Sequence, residues 1–147
     1  MSTTATITLS SDIMATYGGY SKTMTLTKAG ALTDIEETIG FSRRKFAATA
    51  ATDLIRMADE LVDTTATTTS AKVYIQNIGD GKGTIDKSTY VTVSVGVHDG
   101  TMQEIGRLYG GDWLLMPLTC VDAQDVVVAP STNDAVVLEY AMFFEEA

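Results

Sequence analysis

Few residues of the types that carry out catalysis occur in this sequence of 147 residues. His98 is its one histidine and Cys120 its one cysteine. A zinc site or an activated nucleophile needs further residues of these types, so neither position predicts such chemistry. We expect His98 to lie on the surface beside a turn. We expect Cys120 to fill a small space in the core, because Asp122 and Asp125 nearby disfavour a reactive thiolate.

Acidic residues are plentiful, and carboxylates serve both glycoside hydrolysis and calcium binding. Many of them stand in segments typical of turns, where Asp side chains bond to the backbone. No run has the alternating Asp/Asn spacing of a calcium loop. We therefore expect turn residues, and not ligands or catalysts, at Asp80, Asp99, Asp112, Asp122, Asp125 and Asp134. The sequence predicts no enzyme, no metal site and no cofactor.

A glycine-rich segment, Gly79-Asp80-Gly81-Lys82-Gly83, has the composition of a phosphate-binding loop. Such a loop precedes a helix that carries Lys and then Ser or Thr, whereas here another strand pattern follows. We interpret the segment as a flexible β-turn.

The net charge of −9 restricts the partners of the chain. An acidic surface repels phosphate backbones and anionic lipids, so we expect neither nucleic acid nor membrane as a partner. The cluster Arg43-Arg44-Lys45 is either a solvated strand end or a contact with an acidic partner. A single cysteine cannot form an intrachain disulfide, and the N-terminal residues do not have a signal-peptide pattern, so we expect assembly in the cytoplasm.

The elements that position these residues are strands. Apolar and polar residues alternate over residues 90–98, where four valines share one face, and this pattern predicts a half-buried strand. Similar short strands recur between Gly and Asp turns, which is typical of a β-sandwich or jelly roll. We expect one all-β, antiparallel domain over residues 1–147 with at most one short helix. Residues 1–30 either belong to that domain or form an arm used in assembly.

The segment 53–62 fits two structures. Leu54, Ala58 and Leu61 have helical spacing, whereas Ile55, Met57 and Leu61 fit one face of a strand, so the pattern leaves helix and strand open.

The stretch Ile105–Pro117 contains two apolar runs separated by Gly110-Gly111-Asp112, and it predicts a β-hairpin. Arg107 and Asp112 either pair across this hairpin or Asp112 caps its turn. Trp113 is interpreted as an anchor in the core or in an interface, in preference to a platform for sugars. The long apolar strand predicted over 135–144 requires cover on both faces, from the partner layer and from a neighbouring subunit or loop.

Three segments together resemble small virion structural proteins of tailed bacteriophages. They are a Lys-Val-Tyr-Ile-x-Asn strand at 72–77, the Ile-Gly-x-Leu-x-x-Gly-Asp-Trp segment that ends at Pro117, and the apolar strand with terminal acids at 137–145. The resemblance covers residues 71–147, about half of the chain.

The resemblance implies a non-enzymatic protein of the capsid decoration (cement) type. Such a protein binds the major capsid protein as a homotrimer on the outside of the head, stabilises the shell, and assembles in the bacterial host cytoplasm. The alternative is a fibre or tail component that binds a receptor or glycan. A third hypothesis, a glycosidase or metal-dependent enzyme, has only the abundant acids in its favour. The candidate interface or anchor residues are Arg43, Arg44, Lys45, Arg107, Tyr109, Asp112, Trp113, Tyr140, Met142 and Phe144.

Overall fold

The computed structural model describes residues 4–11, 20–27, 38–60, 69–82, 84–97, 100–121 and 124–145. Within these ranges only the backbone is described for residues 4–11, 20–27, 38–41, 59–60, 69 and 143–145. The chain divides into two compact units, Met1–Ile35 and Glu36–Ala147, and each is described by itself.

The first unit contains an antiparallel pair of strands, β1 (Thr4–Ser11) and β2 (Tyr20–Thr27). Thr4 lies opposite Thr27, and Ser11 lies opposite Tyr20. Both strands alternate Thr with apolar residues, a pattern that suits the pleated backbone because β-branched residues favour it. The use of residues 1–30 as an assembly arm stays a prediction.

The second unit is built almost entirely of strands, and no helix in the described ranges is long and apolar enough to span a membrane. Its elements are β3 (Thr38–Phe46), β4 (Thr52–Ile55), α1 (Met57–Glu60), β5 (Thr69–Asn77), β6 (Tyr90–Gly96), β7 (Met102–Tyr109), β8 (Trp113–Cys120), β9 (Asp125–Pro130) and β10 (Val136–Glu145).

The eight strands of this unit form two four-stranded sheets, in the orders β3-β10-β5-β8 and β4-β9-β6-β7. The pairing is nested, since β3 pairs with β10, β4 with β9, β5 with β8 and β6 with β7, all antiparallel. A long hairpin wound upon itself in this way is a jelly roll. The predicted all-β antiparallel fold is confirmed.

One hydrophobic core lies between the two sheets. Val73, Ile75 and Leu138 line it from the first sheet, and Val91 and Val128 from the second, each with 0% of its surface exposed. Burying an aliphatic side chain of this size contributes about 1.5–3 kcal/mol. The alternation seen in the sequence therefore corresponds to the inner faces of a sandwich.

Residues 53–62 contain both of the structures that the sequence left open, although residues 61 and 62 lie outside the described ranges. Strand β4 ends at Ile55, and helix α1 begins at Met57. The carboxylate Oδ1 of Asp125 accepts a hydrogen bond of 2.8 Å from the Met57 amide. The expected turn position of Asp125 is wrong, because this residue opens β9 and is 7% exposed. The hydrogen bond offsets the cost of burying this carboxylate and gives the first amide of α1 an acceptor.

The predicted four-valine face of β6 is only partly correct. Val91 and Val93 are fully buried, but Val97 is 44% exposed and lies beyond the end of the strand. The register against β7 shifts after Val93, and Gly96 has a φ of 141°. The extra residue at this shift is Ile105 on β7, so β6 keeps its own alternation and Val95 still packs against the core. The valine face ends because β6 itself ends at Gly96, which leaves Val97 outside the strand.

The predicted hairpin over Ile105–Pro117 is wrong. Its two strands belong to different sheets, because β7 pairs with β6 whereas β8 pairs with β5. Leu108 and Met116 consequently lie on opposite walls of one core. The chain passes from one sheet to the other through residues 109–113, which we call the corner.

Strand β10 is an interior strand, paired on one side with β3 and on the other with β5. Leu138 and Met142 face the core and are fully buried. Ala141 alternates with them onto the opposite face, yet it is also 0% exposed. Both faces of β10 are thus shielded from solvent at Ala141. That a neighbouring subunit shields part of this strand stays a prediction.

Candidate functional site

The corner is held by backbone hydrogen bonds to the end of β5. The Gly111 amide donates to the Asn77 carbonyl at 2.8 Å, and the Asn77 amide donates to the Asp112 carbonyl at 2.9 Å. Gly111 has a φ of 93°, a conformation that favours glycine. The turn is therefore fixed by a strand of the opposite sheet from β7.

The side chain of Asn77 adds a second set of bonds. Its Nδ2 donates to the Leu108 carbonyl at 3.0 Å, and its Oδ1 accepts from the Gly79 amide at 3.0 Å. Asn77 is 1% exposed, so these bonds are shielded from water. A donor or acceptor left without a partner costs the most free energy at such a buried site. The sequence patterns do not single out this residue as functional. Its signal was the alternation of β5, which places a polar side chain at the core-facing position after Val73 and Ile75.

Asp112 caps the turn, as one of the two sequence interpretations predicted. Its Oδ2 accepts from the Tyr109 amide at 3.0 Å. The alternative, a pair with Arg107, is not formed. Arg107 instead approaches Glu104, at 3.4 Å between Nε and Oε1, and lies over the Tyr90 ring at 4.7 Å from its centroid.

The segment that follows β5 packs against the corner. A Cβ atom at Gly110 would lie 2.3 Å from the Asp86 carbonyl oxygen, so the two backbones are packed in direct contact. Asp80 organises the start of this segment by accepting hydrogen bonds from the Lys82 amide at 2.7 Å and the Thr84 amide at 3.0 Å. These bonds, the Lys82 amide first, lower the pKa of the Asp80 carboxyl. The glycine-rich segment is thus a capped turn, and strand β6 follows it.

Three large apolar side chains at this end of the second unit remain exposed. Ile85 is 51% exposed, Tyr109 39% and Trp113 46%. Of the two anchor positions predicted for Trp113, the core is excluded, because this first residue of β8 faces away from the interior, and the interface stays a prediction. We call Ile85, Tyr109 and Trp113 the corner patch. Exposed aromatic groups on a well-braced backbone are typical of protein interfaces.

A cross-strand row connects Trp113 with the basic cluster. Arg43 lies opposite Glu139, Glu139 opposite Gln76, and Gln76 opposite Trp113. Because neighbouring strands are about 4.8 Å apart, the two ends of the row are separated by roughly 14 Å. Arg43 and Trp113 are thus the outer members of one row on the face turned away from the core.

The three basic residues have different surroundings. Arg43 donates from Nε to Glu139 Oε2 at 2.8 Å, with its side chain 68% exposed. Arg44 donates to the Asp53 carbonyl at 2.6 Å and lies over the Phe46 ring, 5.2 Å from its centroid. Lys45 is exposed on β3. Arg44 therefore connects the edges of the two sheets, whereas Arg43 and Lys45 are accessible to a partner.

The remaining candidates lie on β10. Met142 is fully buried, and Tyr140 is half-buried against the core, so both are structural anchors. Phe144 pairs through its backbone with Ala71, and its side chain lies outside the described part of the structure. The structure does not bring these residues together with the corner patch.

Cys120 is buried as predicted, at 3% exposure, and burial raises the pKa of its thiol to about 11. Three residues that the sequence predicts in or beside turns, His98, Asp99 and Asp122, lie outside the described ranges, and those predictions stay untested. Among the residues that the structure describes, no group of three or more His, Cys, Asp or Glu side chains could hold a metal ion. Asp112 and Asp80 have backbone partners that account for their positions.

Comparisons with known proteins do not assign this chain to a family. No protein-family model matches it, and no curated protein matches it. A chain in the solved structure of Bacillus endospore appendages, described as a novel family of disulfide-linked pili, is similar at 17% identity and a TM-score of 0.43. The similarity covers 73% of this chain and 88% of that one. At these values the similarity carries no argument about what this chain binds.

Proposed function

We propose that this chain is a structural protein of a bacteriophage particle, a capsid decoration protein that binds the major capsid protein through the corner patch. The observation that carries the proposal is the exposure of Trp113, 46%, on a turn braced by the buried Asn77. The resemblance of residues 71–147 supplies the bacteriophage and capsid parts of the proposal.

The corner patch is suited to docking because its backbone is already ordered. Bonds from Asn77 and Asp112 fix the corner, and Gly110 packs directly on Asp86. Binding then costs little further conformational entropy, so more of the contact energy is expressed as affinity. Tyr and Trp are also the residue types that most often dominate interface energies.

The acidic composition supports a protein partner on the outer surface of the shell. A net charge of −9 repels packaged nucleic acid and favours a basic protein surface. We propose the capsid exterior as its location, assembly in the bacterial host cytoplasm, and a homotrimer as the bound form.

The proposal is tested with particles that lack this chain. The purified full-length protein should bind to them, and Trp113→Ala should weaken binding about thirtyfold, the size of a 2 kcal/mol hot spot. Val121→Ala is the matched control, because Val121 is 38% exposed just beyond the opposite end of β8. Failure of the wild-type protein to bind, or equal binding by the Trp113 variant, would overturn the proposal. Negative-stain images with the chain labelled would locate it on head or tail.

A second candidate, a glycan-binding component of a fibre or tail, is favoured by one observation. The rings of Tyr90 and Tyr109 lie 5.3 Å apart, and Arg107 covers Tyr90. Aromatic faces beside a hydrogen-bonding cation suit a sugar ring. A glycan array probed with the wild-type protein and Tyr109→Ala tests this role, and it is excluded if the wild-type protein gives no signal.

A further inference from the structure

The four edges of the two sheets differ in their protection against pairing with another chain. Natural edge strands are protected by short length, proline, charged side chains or a β-bulge. Strand β4 has four residues, β8 contains Pro117, and β3 carries Arg43, Arg44 and Lys45 in succession. Strand β7 has eight residues and no proline, and its two charged residues have opposite signs, so the bulge at Ile105 is its main protection.

In the part of the chain that the structure describes, strand β7 is paired on one side only, with β6. Its first four residues are exposed on both faces, including Met102 at 37% and Ile105 at 48%. A bulge leaves Ile105 without an opposite residue on β6. A bulge re-aims a side chain, and here it turns an apolar one toward solvent.

The sequence of β7 is complementary to itself when read antiparallel. If two copies pair about a two-fold axis between Ile105 and Gly106, Glu104 of each copy lies opposite Arg107 of the other. Both residues are about half exposed, and they lie on one face, as their mutual distance of 3.4 Å shows. Opposite charges across a strand pair stabilise it, and this register creates two such pairs.

The same register matches shapes as well as charges. Ile105 of one copy lies opposite Gly106 of the other, and a Cβ atom added at Gly106 would meet nothing within 4 Å. Gly106 of one copy therefore leaves room for the exposed Ile105 side chain of the other. Met102 lies opposite Tyr109, a pairing of a thioether with an aromatic ring that is favourable.

We propose that two copies of this chain join through β7, antiparallel, in the register that sets Glu104 of one copy opposite Arg107 of the other. The two sheets that contain β7 then form one continuous eight-stranded sheet across the two-fold axis. This contact goes beyond the proposed function, because it requires no capsid protein. It is compatible with a trimer, since a two-fold contact pairs one surface with itself whereas a trimer joins two different surfaces.

Charge reversal tests the pairing in the full-length protein. Glu104→Arg gives β7 two cations, and Arg107→Glu gives it two anions, so each variant alone should self-associate more weakly by about tenfold or more. Mixing the two variants should restore association as a heterodimer, because every opposite pair is then one cation and one anion. Native mass spectrometry of chains with different masses identifies the heterodimer.

Matched controls carry the same charge changes away from β7. Asp134→Arg and Lys87→Glu alter exposed loop residues and should leave self-association unchanged. A wild-type protein that stays monomeric over the whole concentration series overturns the proposal. So does a dimer that both β7 variants leave intact, because its interface must lie elsewhere.

Cysteine cross-linking tests the register. A mixture of Met102→Cys and Tyr109→Cys proteins should form a disulfide-linked heterodimer, because opposite Cβ atoms lie about 4.5–5.5 Å apart. Met102→Cys alone should not cross-link, since its two copies are seven residues apart along the strands, about 23 Å. The native Cys120 is buried and does not compete. Cross-linking by Met102→Cys alone, or none in the mixture, overturns the register.

Discussion

The connections before and after β7 both contain Asp beside Gly in the sequence. The first includes His98-Asp99-Gly100, of which His98 and Asp99 lie outside the described ranges, and the second is Gly110-Gly111-Asp112. The first joins β6 and β7, which pair as a hairpin, and the Val97 amide donates to the Thr101 carbonyl at 3.2 Å to close it. The second joins strands of different sheets. The Asp112 amide closes it locally on the Tyr109 carbonyl at 2.9 Å, and further backbone bonds fix it to Asn77 on β5. Turn composition therefore predicts a reversal of the chain, whereas a residue outside the turn decides which strands become neighbours.

The largest effect is expected from Asn77→Ala. The change leaves the Leu108 carbonyl and the Gly79 amide unsatisfied in a buried site, which should cost about 2–4 kcal/mol. Denaturant unfolding measures the loss, and amide exchange should accelerate more at Gly111 than at Val97. Gln76→Ala, at a half-buried neighbour, is the control and should cost less. Equal acceleration in both turns would contradict a specific role at the corner.

Gly110→Ala should cost about 1–3 kcal/mol, because its Cβ atom would lie 2.3 Å from the Asp86 carbonyl oxygen and force the backbones apart. Gly106→Ala is the matched control on β7. Nothing lies within 4 Å of a Cβ atom there, so stability should stay within about 0.5 kcal/mol. Thermal or denaturant unfolding of both variants measures the difference, and similar losses would argue against close packing at Gly110.

Asp112→Ala should cost about 1 kcal/mol, the value of one turn-capping hydrogen bond to the Tyr109 amide. The exposed Asp134 provides a control of the same charge and size. Denaturant unfolding measures the loss as a lower midpoint concentration with an unchanged slope of free energy against denaturant. If Asp134→Ala proves equally costly, removal of charge and not the cap explains the effect.

Trp113→Ala should lower the stability of the isolated protein by less than about 1 kcal/mol, because nearly half of the side chain is exposed. A fully buried tryptophan would cost about 3–5 kcal/mol. The unfolding free energy distinguishes these values. A loss in the upper range would mean that Trp113 is part of the core and not of the corner patch.

The smallest effect is expected from acid. The Lys82 and Thr84 amides stabilise the ionised Asp80 carboxylate and lower its pKa from 3.8. Stability from these bonds is therefore present above the unfolded value and is lost as the pH falls through the lower, folded pKa. Titration followed by nuclear magnetic resonance should show Asp80 protonating below 3.8, with the Lys82 and Thr84 amides responding while Val97 does not. Protonation of Asp80 at or above 3.8 would contradict the cap.

The sequence predicted the fold because alternation is a local property of each strand. It placed Val91 and Val93 in the core and offered the capping of a turn by Asp112 as one of two interpretations, and both features depend on near neighbours. It missed the partner of β8 and the buried position of Asp125. Each of these depends on contacts between distant segments, such as the bond from Asp125 to Met57, 68 residues away.

The nested pairing of strands has a consequence for the rate of folding. The strands that pair farthest apart are β3 and β10, and Arg43 and Glu139, joined across them, are 96 residues apart in the chain. Closing loops of this length costs conformational entropy before the stabilising contacts between the strands can form. Such topologies therefore fold in milliseconds to seconds or slower. Until β10 inserts between β3 and β5, both of those strands expose unpaired edges. We therefore expect the interval before this last strand docks to be the period in which aggregation competes most with folding.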